Sequence, residues 1–218
     1  MKYGESTFDI LYLIIAIAAG ILILRRSKTV PGRLAGFAVL ILGCGDAFHL
    51  VPRVLHYFVA ADMTAWLGVG KLVTSLTMTV FYVLMYRLWL KHYEASEDKS
   101  LTVTVYVLAA LRFILCLFPG NGWLTGEGTV LWAILRNAPF VALGVIVVVL
   151  WFRTRKQTPA FRRIWLWVTL SFLFYIPVAV AAGALPILGM LMLPKTICYI
   201  VMIVVFLRYF GRKEPDAA

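Results

Sequence analysis

Long apolar stretches separated by short polar and charged segments dominate the pattern of side chains along this chain. A helix that spans a bilayer needs about 20 mostly apolar residues, and seven stretches reach that length. They cover roughly residues 8–25, 34–54, 65–90, 101–118, 131–152, 164–183 and 187–209. The sequence lacks the strict apolar–polar alternation of a membrane β-strand. The pattern therefore predicts an all-α polytopic membrane protein with seven transmembrane helices.

The composition agrees with this prediction. Of the 218 residues, 62% are hydrophobic and only 14% are charged, more apolar side chain than a soluble domain of this size buries. Positive charge follows the first apolar stretch and no small-residue cleavage site is present, so we expect an uncleaved span. We expect one transmembrane domain over residues 1–213 and a disordered tail at 214–218.

The positive charges predict the orientation. Most of the 21 Lys and Arg residues fall in the segments after helices 1, 3, 5 and 7. They are Arg25, Arg26, Lys28, Arg33, Arg87, Lys91, Lys99, Arg153, Arg155, Lys156, Arg162, Arg163, Arg208, Arg212 and Lys213. The positive-inside rule makes that side cytoplasmic, with the N-terminus outside and the C-terminus inside. This clustering accounts for the net charge of +11 without nucleic acid as a partner.

Aromatic, cysteine and histidine positions add detail. Tryptophans predict an outer interface at residues 66, 123 and 132 and an inner one at residues 89, 151, 165 and 167. Cys44, Cys116 and Cys198 lie in apolar spans without a CxxC motif, so we expect small core residues and no disulfide. Asp46, His49 and His56 form the best set of metal ligands, but His56 falls at the end of helix 2. We therefore expect no metal and no cofactor.

The two halves of the chain resemble each other. RRSKTVPGR (25–33) aligns with RTRKQTPAFR (153–162), and FHLVP (48–52) aligns with FYIP (174–177). Lys71 and Lys195 then follow the two prolines at nearly equal separations. This predicts a 3+1+3 plan, in which halves 1–92 and 129–213 are parallel repeats and helix 101–118 links them. Transporters with parallel repeats bind their substrates at the repeat interface.

Ionisable residues inside the spans fall in the predicted outer half of the membrane. On helix 2, Asp46, His49 and Arg53 share one face, and Gly43 on the same stripe allows a close neighbouring helix. On helix 3, Lys71 and Ser75 share a stripe. The other members are Asp9 at the start of helix 1, Arg112 on helix 4, Arg136 and Asn137 on helix 5, and Lys195 and Tyr199 on helix 7.

Two carboxylates cannot neutralise these five lysines and arginines, so some cations reach the interface or an anion completes the site. We interpret Arg53 and Arg112 as extending to the interface, leave both interpretations open for Arg136, and expect Lys71 and Lys195 in a pocket. Asp46 should contact Lys71 or Lys195 directly or through one water. Pro177 and Pro194 are expected to interrupt helices 6 and 7.

Three resemblances extend this interpretation. GCGDAFHLVPR, GKLVTSLTMTVFYVLMYRLW and LPKT resemble an uncharacterised family of small bacterial seven-helix membrane proteins, which implies the bacterial inner membrane. The 3+1+3 plan is similar to the SWEET sugar transporters, whose Pro-Gln dipeptide is absent from this sequence. SFLFYIPVAV followed by Lys195 is similar to microbial rhodopsins. That resemblance implies a retinal Schiff base on Lys195. The rhodopsins carry the carboxylate counter-ion on helix 3, where this chain has Lys71, so Asp46 on helix 2 would have to serve.

The predicted function is binding, extended to transport, of a small anionic molecule or an anionic lipid head group. The ligand-binding residues would be Asp46, His49, Lys71, Ser75, Arg136, Lys195 and Tyr199, and the lipid bilayer would be the other partner. One alternative is a lipid-modifying hydrolase or transferase that uses Asp46 and His49 as an acid–base pair. The other alternative is a retinal-binding photoreceptor.

Overall fold

The computed structural model describes residues 2–59, 62–126, 128–181 and 185–212, and these fold into seven α-helices. The helices are α1 (Lys2–Arg26), α2 (Val30–Phe58), α3 (Thr64–His92), α4 (Lys99–Leu117), α5 (Val130–Arg153), α6 (Ile164–Ala181) and α7 (Met192–Phe210). Short 3-10 turns occur at Pro119–Asn121, Pro159–Phe161 and Pro186–Leu191. The seven spans are long and apolar enough to cross a membrane, which confirms the predicted all-α architecture. The predicted tail at 214–218 lies outside the described residues.

The helices form a closed bundle. Each helix packs against the next one in the chain, and α1 packs against α7 to close the ring. Additional contacts join α3 to α5 and α2 to α7. Because α3 and α5 touch each other, α4 lies outside their contact. The 3+1+3 internal repeat stays a prediction.

Small residues bring α1 and α2 close together, as the sequence predicted for Gly43. A Cβ atom on Gly43 would lie 2.9 Å from Cβ of Ala16, and one on Gly20 would lie 2.9 Å from the backbone nitrogen of Leu40. Close backbone approach at small residues is a common way for transmembrane helices to associate.

Polar side chains cap three of the helices. Thr29 caps α2 by accepting from the backbone N–H of Gly32 at 3.3 Å, and Asp98 caps α4 by accepting from Ser100 at 2.8 Å. Thr129 accepts from the N–H of Trp132 at 3.5 Å, at the first turn of α5. Ser, Thr and Asp satisfy backbone donors that a helix start leaves unpaired. These caps set where the helices begin.

Helices α7 and α1 begin at residues other than those predicted. Residues Pro186–Leu191 form a 3-10 turn, so α7 begins at Met192 and Pro194 lies in its first turn instead of interrupting it. Proline is tolerated there because the first N–H groups of a helix have no intrahelical partner. Pro177 does lie inside α6. Helix α1 begins at Lys2, which moves Asp9 about 10 Å into the helix.

Burial separates residues that the sequence pattern did not distinguish. Trp151, predicted at the inner interface, lies two residues before the end of α5 and is completely buried, with its ring centroid 5.5 Å from that of Phe161. Cys44, predicted in the core, is exposed, whereas Cys116 and Cys198 are buried. In a membrane protein the lipid-facing surface and the core are equally apolar, so hydrophobicity does not separate them.

Candidate functional site

A cavity of about 440 Å³ lies at the end of the bundle where α3 and α5 begin and α4 ends. We name this end the cavity end, and the opposite end, with the loops after α1, α3 and α5, the basic end. Side chains of α2 to α7 and of the loop between α4 and α5 line the cavity. Thr64, Gly126 and Thr129 line it as well and are exposed, so the cavity reaches the surface at the cavity end.

Cationic side chains from four different helices line this cavity. They are Lys71 on α3, Arg112 on α4, Arg136 on α5 and Lys195 on α7. Lys71, Arg112 and Arg136 lie about 8–10 Å from the nearest ends of their helices. No carboxylate lines the cavity among the described residues, which do not include Glu127. The structure thus joins the predicted site residues Lys71, Arg136 and Lys195, together with His49 and Ser75, in one cavity.

Arg112 is a cation of the cavity wall that the sequence interpretation missed. The prediction that its side chain extends to the interface is wrong. Its side chain is only 1% exposed. The guanidinium carbon lies 3.5 Å from the ring centroid of Phe140, and the Nε and Nη1 atoms have no hydrogen-bond partner. Arginine remains charged in proteins. Arg112 therefore presents a buried positive charge, with N–H donors unpaired by the protein, in the wall of the cavity.

Arg136 is held by the loop between α4 and α5. Its Nη1 donates to Oδ1 of Asn121 at 2.8 Å, and its guanidinium lies 4.7 Å from the ring centroid of Trp123. The Asn121 amide donates at the C-terminal end of α4, to the carbonyls of Leu115 at 2.8 Å, Cys116 at 3.3 Å and Phe118 at 2.9 Å.

Trp123 also caps the C-terminal end of α4, because its Nε1 donates to the Cys116 carbonyl at 2.8 Å. Residues 121–123 of the loop thus form a hydrogen-bonded wall of the cavity. In the sequence, this loop is a segment that contains several glycines and a proline. Only Trp123 was singled out in it, as a tryptophan at the predicted outer interface.

The two lysines have few partners in the protein. The Nζ of Lys195 lies 4.9 Å from the ring centroid of Tyr175 and 5.5 Å from that of Tyr199. Lys71 forms no ion pair with the described residues. Its positive charge acts on His49 and is repelled by the positive charge of Arg136. The cavity therefore concentrates like charges that repel one another, with Arg112 buried, Arg136 and Lys195 half-buried and Lys71 exposed.

Ser75 and Tyr199 play lesser parts than predicted. The Ser75 hydroxyl lines the cavity but donates to the Lys71 carbonyl of its own helix at 2.8 Å. Tyr199 does not line the cavity. Its hydroxyl lies 3.2 Å from that of Tyr82, which lies 3.4 Å from Oγ of Ser171. Tyr199 thus belongs to a buried hydroxyl cluster one turn deeper on α7.

Asp46 lies outside the cavity lining, on the side of α2 that faces α1. The Tyr12 hydroxyl donates to its Oδ2 at 2.6 Å. Asp46 forms no ion pair within 4.0 Å with Lys71 or Lys195, so the direct contact expected from the sequence is not made. The charge of Lys195 nevertheless acts on Asp46. Asp9 is 5% exposed and not near the surface, because α1 begins earlier than predicted.

Arg53 is neutralised outside the cavity. It forms an ion pair with Glu5 on α1, and the Tyr57 hydroxyl donates to the same carboxylate at 2.8 Å. Glu5 was omitted from the sequence tally because the first span was predicted to begin at residue 8. Arg53 therefore leaves the set of unpaired cations, and Arg112 joins it.

Comparisons with known proteins add no second source of inference. No family model, no curated protein and no solved structure matches this chain. The functional argument rests on the residues and the geometry of the cavity.

Proposed function

We propose that this protein binds a small anionic molecule or an anionic lipid head group in the cavity. The observation that carries the proposal is Arg112, whose buried guanidinium lines the cavity with Nε and Nη1 unpaired. A buried guanidinium that has an aromatic ring beside it but lacks a carboxylate and two of its hydrogen bonds is unfavourable, and Lys71, Arg136 and Lys195 add to the repulsion. A bound anion would offset both. Transport is an extension of the same proposal, which uptake of labelled sulfate into liposomes that contain the protein would test.

This geometry supports binding over the acid–base chemistry that Asp46 and His49 would perform together. His49 lines the cavity, whereas Asp46 accepts a hydrogen bond from Tyr12 outside the lining. A general base has to come within hydrogen-bond reach of the substrate proton. The cavity offers cationic donors for an anion on several sides, which is the arrangement that binding requires.

The proposal includes an orientation in the cell membrane, with the cavity end outside and the basic end in the cytoplasm. A reporter enzyme fused after Ala218 should therefore be active in the cytoplasm. The same reporter fused before Lys2 should be active outside and serves as the control. Activity of the C-terminal fusion outside the cytoplasm would reverse the orientation.

Binding should appear as a rise in the thermal unfolding temperature of the detergent-solubilised protein. A ligand that binds the folded state at a hundred times its Kd adds about 2.7 kcal/mol to the free energy of unfolding. The panel contains inorganic sulfate, inorganic phosphate, succinate, and micelles with phosphatidylglycerol or phosphatidylcholine. If the ligand is a free anion, sulfate, phosphate or succinate should raise the unfolding temperature without lipid. If the ligand is a lipid head group, only phosphatidylglycerol should raise it. A panel without any effect would refute the proposal.

Lys71→Met tests whether the cavity is the binding site. We expect the substitution to reduce the anion-induced rise in unfolding temperature, because it removes one cation that lines the cavity. Lys91→Met is the matched control, since Lys91 is an exposed lysine of the same helix at the basic end. Equal losses in the two variants would show that the anion acts on overall charge and not in the cavity.

A further inference from the structure

A second group of buried polar side chains lies where α1 meets α2 and α7. We name it the carboxyl cluster, and its members are Ser6, Asp9 and Tyr12 on α1 and Asp46 on α2. The three α1 residues follow one another at helical spacing on the buried face of the helix and are 4%, 5% and 1% exposed. None of the four lines the cavity.

Protein groups satisfy this cluster incompletely. Tyr12 donates to Oδ2 of Asp46 at 2.6 Å, while Oδ2 of Asp9 and Oγ of Ser6 are buried without a hydrogen-bond partner. The negative charges of Asp9 and Asp46 repel each other. Two carboxylates that share a site of low dielectric constant do not both ionise readily, and a protonated carboxyl gains an O–H donor. The cluster is therefore suited to hold one proton.

Lys195 lines the cavity, and α7, which carries it, packs against both helices of the cluster, α1 and α2. At this junction the charge of Lys195 acts on Asp46. Tyr199, on the next turn of α7, also lies within range of the Asp46 charge. On α2, His49 lies one turn beyond Asp46 and faces Lys71 and Lys195.

The other charged groups near the cluster are already paired. Toward the start of α1, Glu5 is paired with Arg53. Lys195 is therefore the one cation that both the cluster and an anion in the cavity can attract, among the described residues.

We propose that the carboxyl cluster binds one proton from the solvent and that this proton is coupled to anion binding through Lys195. The inference rests on the proposed function. When both carboxyls are ionised, Asp46 attracts the Lys195 ammonium and competes with the anion for it. Proton uptake removes that competition, so the proton and the anion bind together. Each ligand then raises the affinity of the other by the same factor.

The test measures the Kd of inorganic sulfate by thermal shift from about pH 5 to about pH 8, a range above the pH at which exposed carboxyls titrate. Sulfate is the probe because its own charge stays constant over this range. The Kd should fall by up to about tenfold for each pH unit of acidification within the coupling range, as linkage to one proton requires. Addition of sulfate to unbuffered protein should also consume protons.

Two variants should change the pH dependence in different ways. In Asp9→Asn, Asp46 keeps its carboxyl beside Lys195 but loses the repulsion from Asp9, so the pH range in which the sulfate Kd falls should move to lower pH. In Asp46→Asn, Lys195 is free at every pH, so the Kd should stay at the tight value of the wild type at low pH. A purely structural role for the cluster would weaken both variants alike.

Asp62→Asn is the control for loss of a carboxylate at the cavity end. Hydrogen bonds from the Thr64 hydroxyl and backbone N–H lower the pKa of this exposed carboxyl, so it does not titrate in the tested range. His49→Gln is the second control, because protonation of a histidine in the cavity would also favour an anion. The pH dependence should survive in both controls.

The outcomes separate this inference from the proposed function. If no anion of the panel raises the wild-type unfolding temperature at any tested pH, the binding proposal fails. If sulfate binds with the same Kd at every pH, or if the pH dependence survives in Asp46→Asn, the binding proposal stands and the proton coupling fails. If sodium replaces the proton, so that stabilisation at high pH requires Na⁺ and is absent in choline, the coupling fails in favour of a cation site.

Discussion

Arg112→Met should abolish the stabilisation by anions and at the same time leave the unliganded protein as stable as the wild type or more stable. The side chain is almost completely buried, and Met fills a similar volume without a charge. Replacing a buried ionic group with a well-packed apolar one is often neutral or stabilising by about 1–4 kcal/mol. The binding loss follows because the anion loses a donor that the protein itself leaves unpaired.

The expected loss of affinity is large. Truncating one partner of a buried, hydrogen-bonded charge pair costs about 2–5 kcal/mol, on the order of thirty-fold to several thousand-fold in Kd. The measurement is the thermal unfolding temperature of both proteins with and without the best anion of the panel. Opposite effects on stability and on binding would be characteristic of a binding residue, whereas a structural arginine would lower both.

Two further substitutions sharpen this test. Arg112→Lys keeps the charge but loses the planar donor pair, so we expect weakened binding that remains measurable. Arg208→Met, an exposed arginine near the end of α7, removes one positive charge at the basic end and should leave the anion effect intact. The proposal would be contradicted if Arg112→Met kept the wild-type response to anions.

Asn121→Ala should cause the second large effect, a loss of about 2–4 kcal/mol of stability together with weaker anion binding. The 4% exposed side chain donates to carbonyls at the end of α4 and accepts from Arg136. Alanine leaves these carbonyls without that donor and Arg136 without its acceptor. For a chain of this size, the loss corresponds to a decrease in unfolding temperature on the order of ten degrees.

Asn137→Ala is the matched comparison for Asn121→Ala. Asn137 is also a buried asparagine, but its amide donates to Ala133, a carbonyl inside its own helix, and its Oδ1 accepts from Tyr175. We expect a smaller loss of stability, because the Ala133 carbonyl keeps its helical partner. An unfolding temperature for Asn121→Ala equal to that of the wild type would show that the loop does not hold the wall of the cavity.

The candidate site was predictable in part. Lys71 and Lys195 were recognised because a lysine with polar neighbours on the same helical stripe is unfavourable against lipid. Arg112 was misjudged because the same sequence position fits two environments. An arginine near a helix end can extend to the interface or turn into the bundle, and the direction depends on where the neighbouring helix carries Phe140.

Asn121 and Tyr12 were missed for a different reason. Their roles depend on partners that are distant in the chain or reached only through an irregular loop, as with the hydrogen bond from Tyr12 to Asp46 and the one from Arg136 to Asn121. Helical periodicity relates residues within one element and carries no information about such pairs. For Asp46 the prediction was a contact with Lys71 or Lys195 directly or through one water, and the direct form is absent for the same reason.

The sequence by itself determined that the chain forms seven apolar helices and that the ionisable residues inside these helices lie nearer the end opposite the basic loops. Helix length and hydrophobicity are properties of local segments, and a charge in an apolar segment is recognisable wherever the segment packs. Only the tertiary structure decided that Arg53 is paired with Glu5, that Arg112 lines the cavity, and that Asp46 lies with Asp9 and Tyr12 in a separate cluster. The rotation of each helix about its axis selects these partners, and packing between helices sets that rotation.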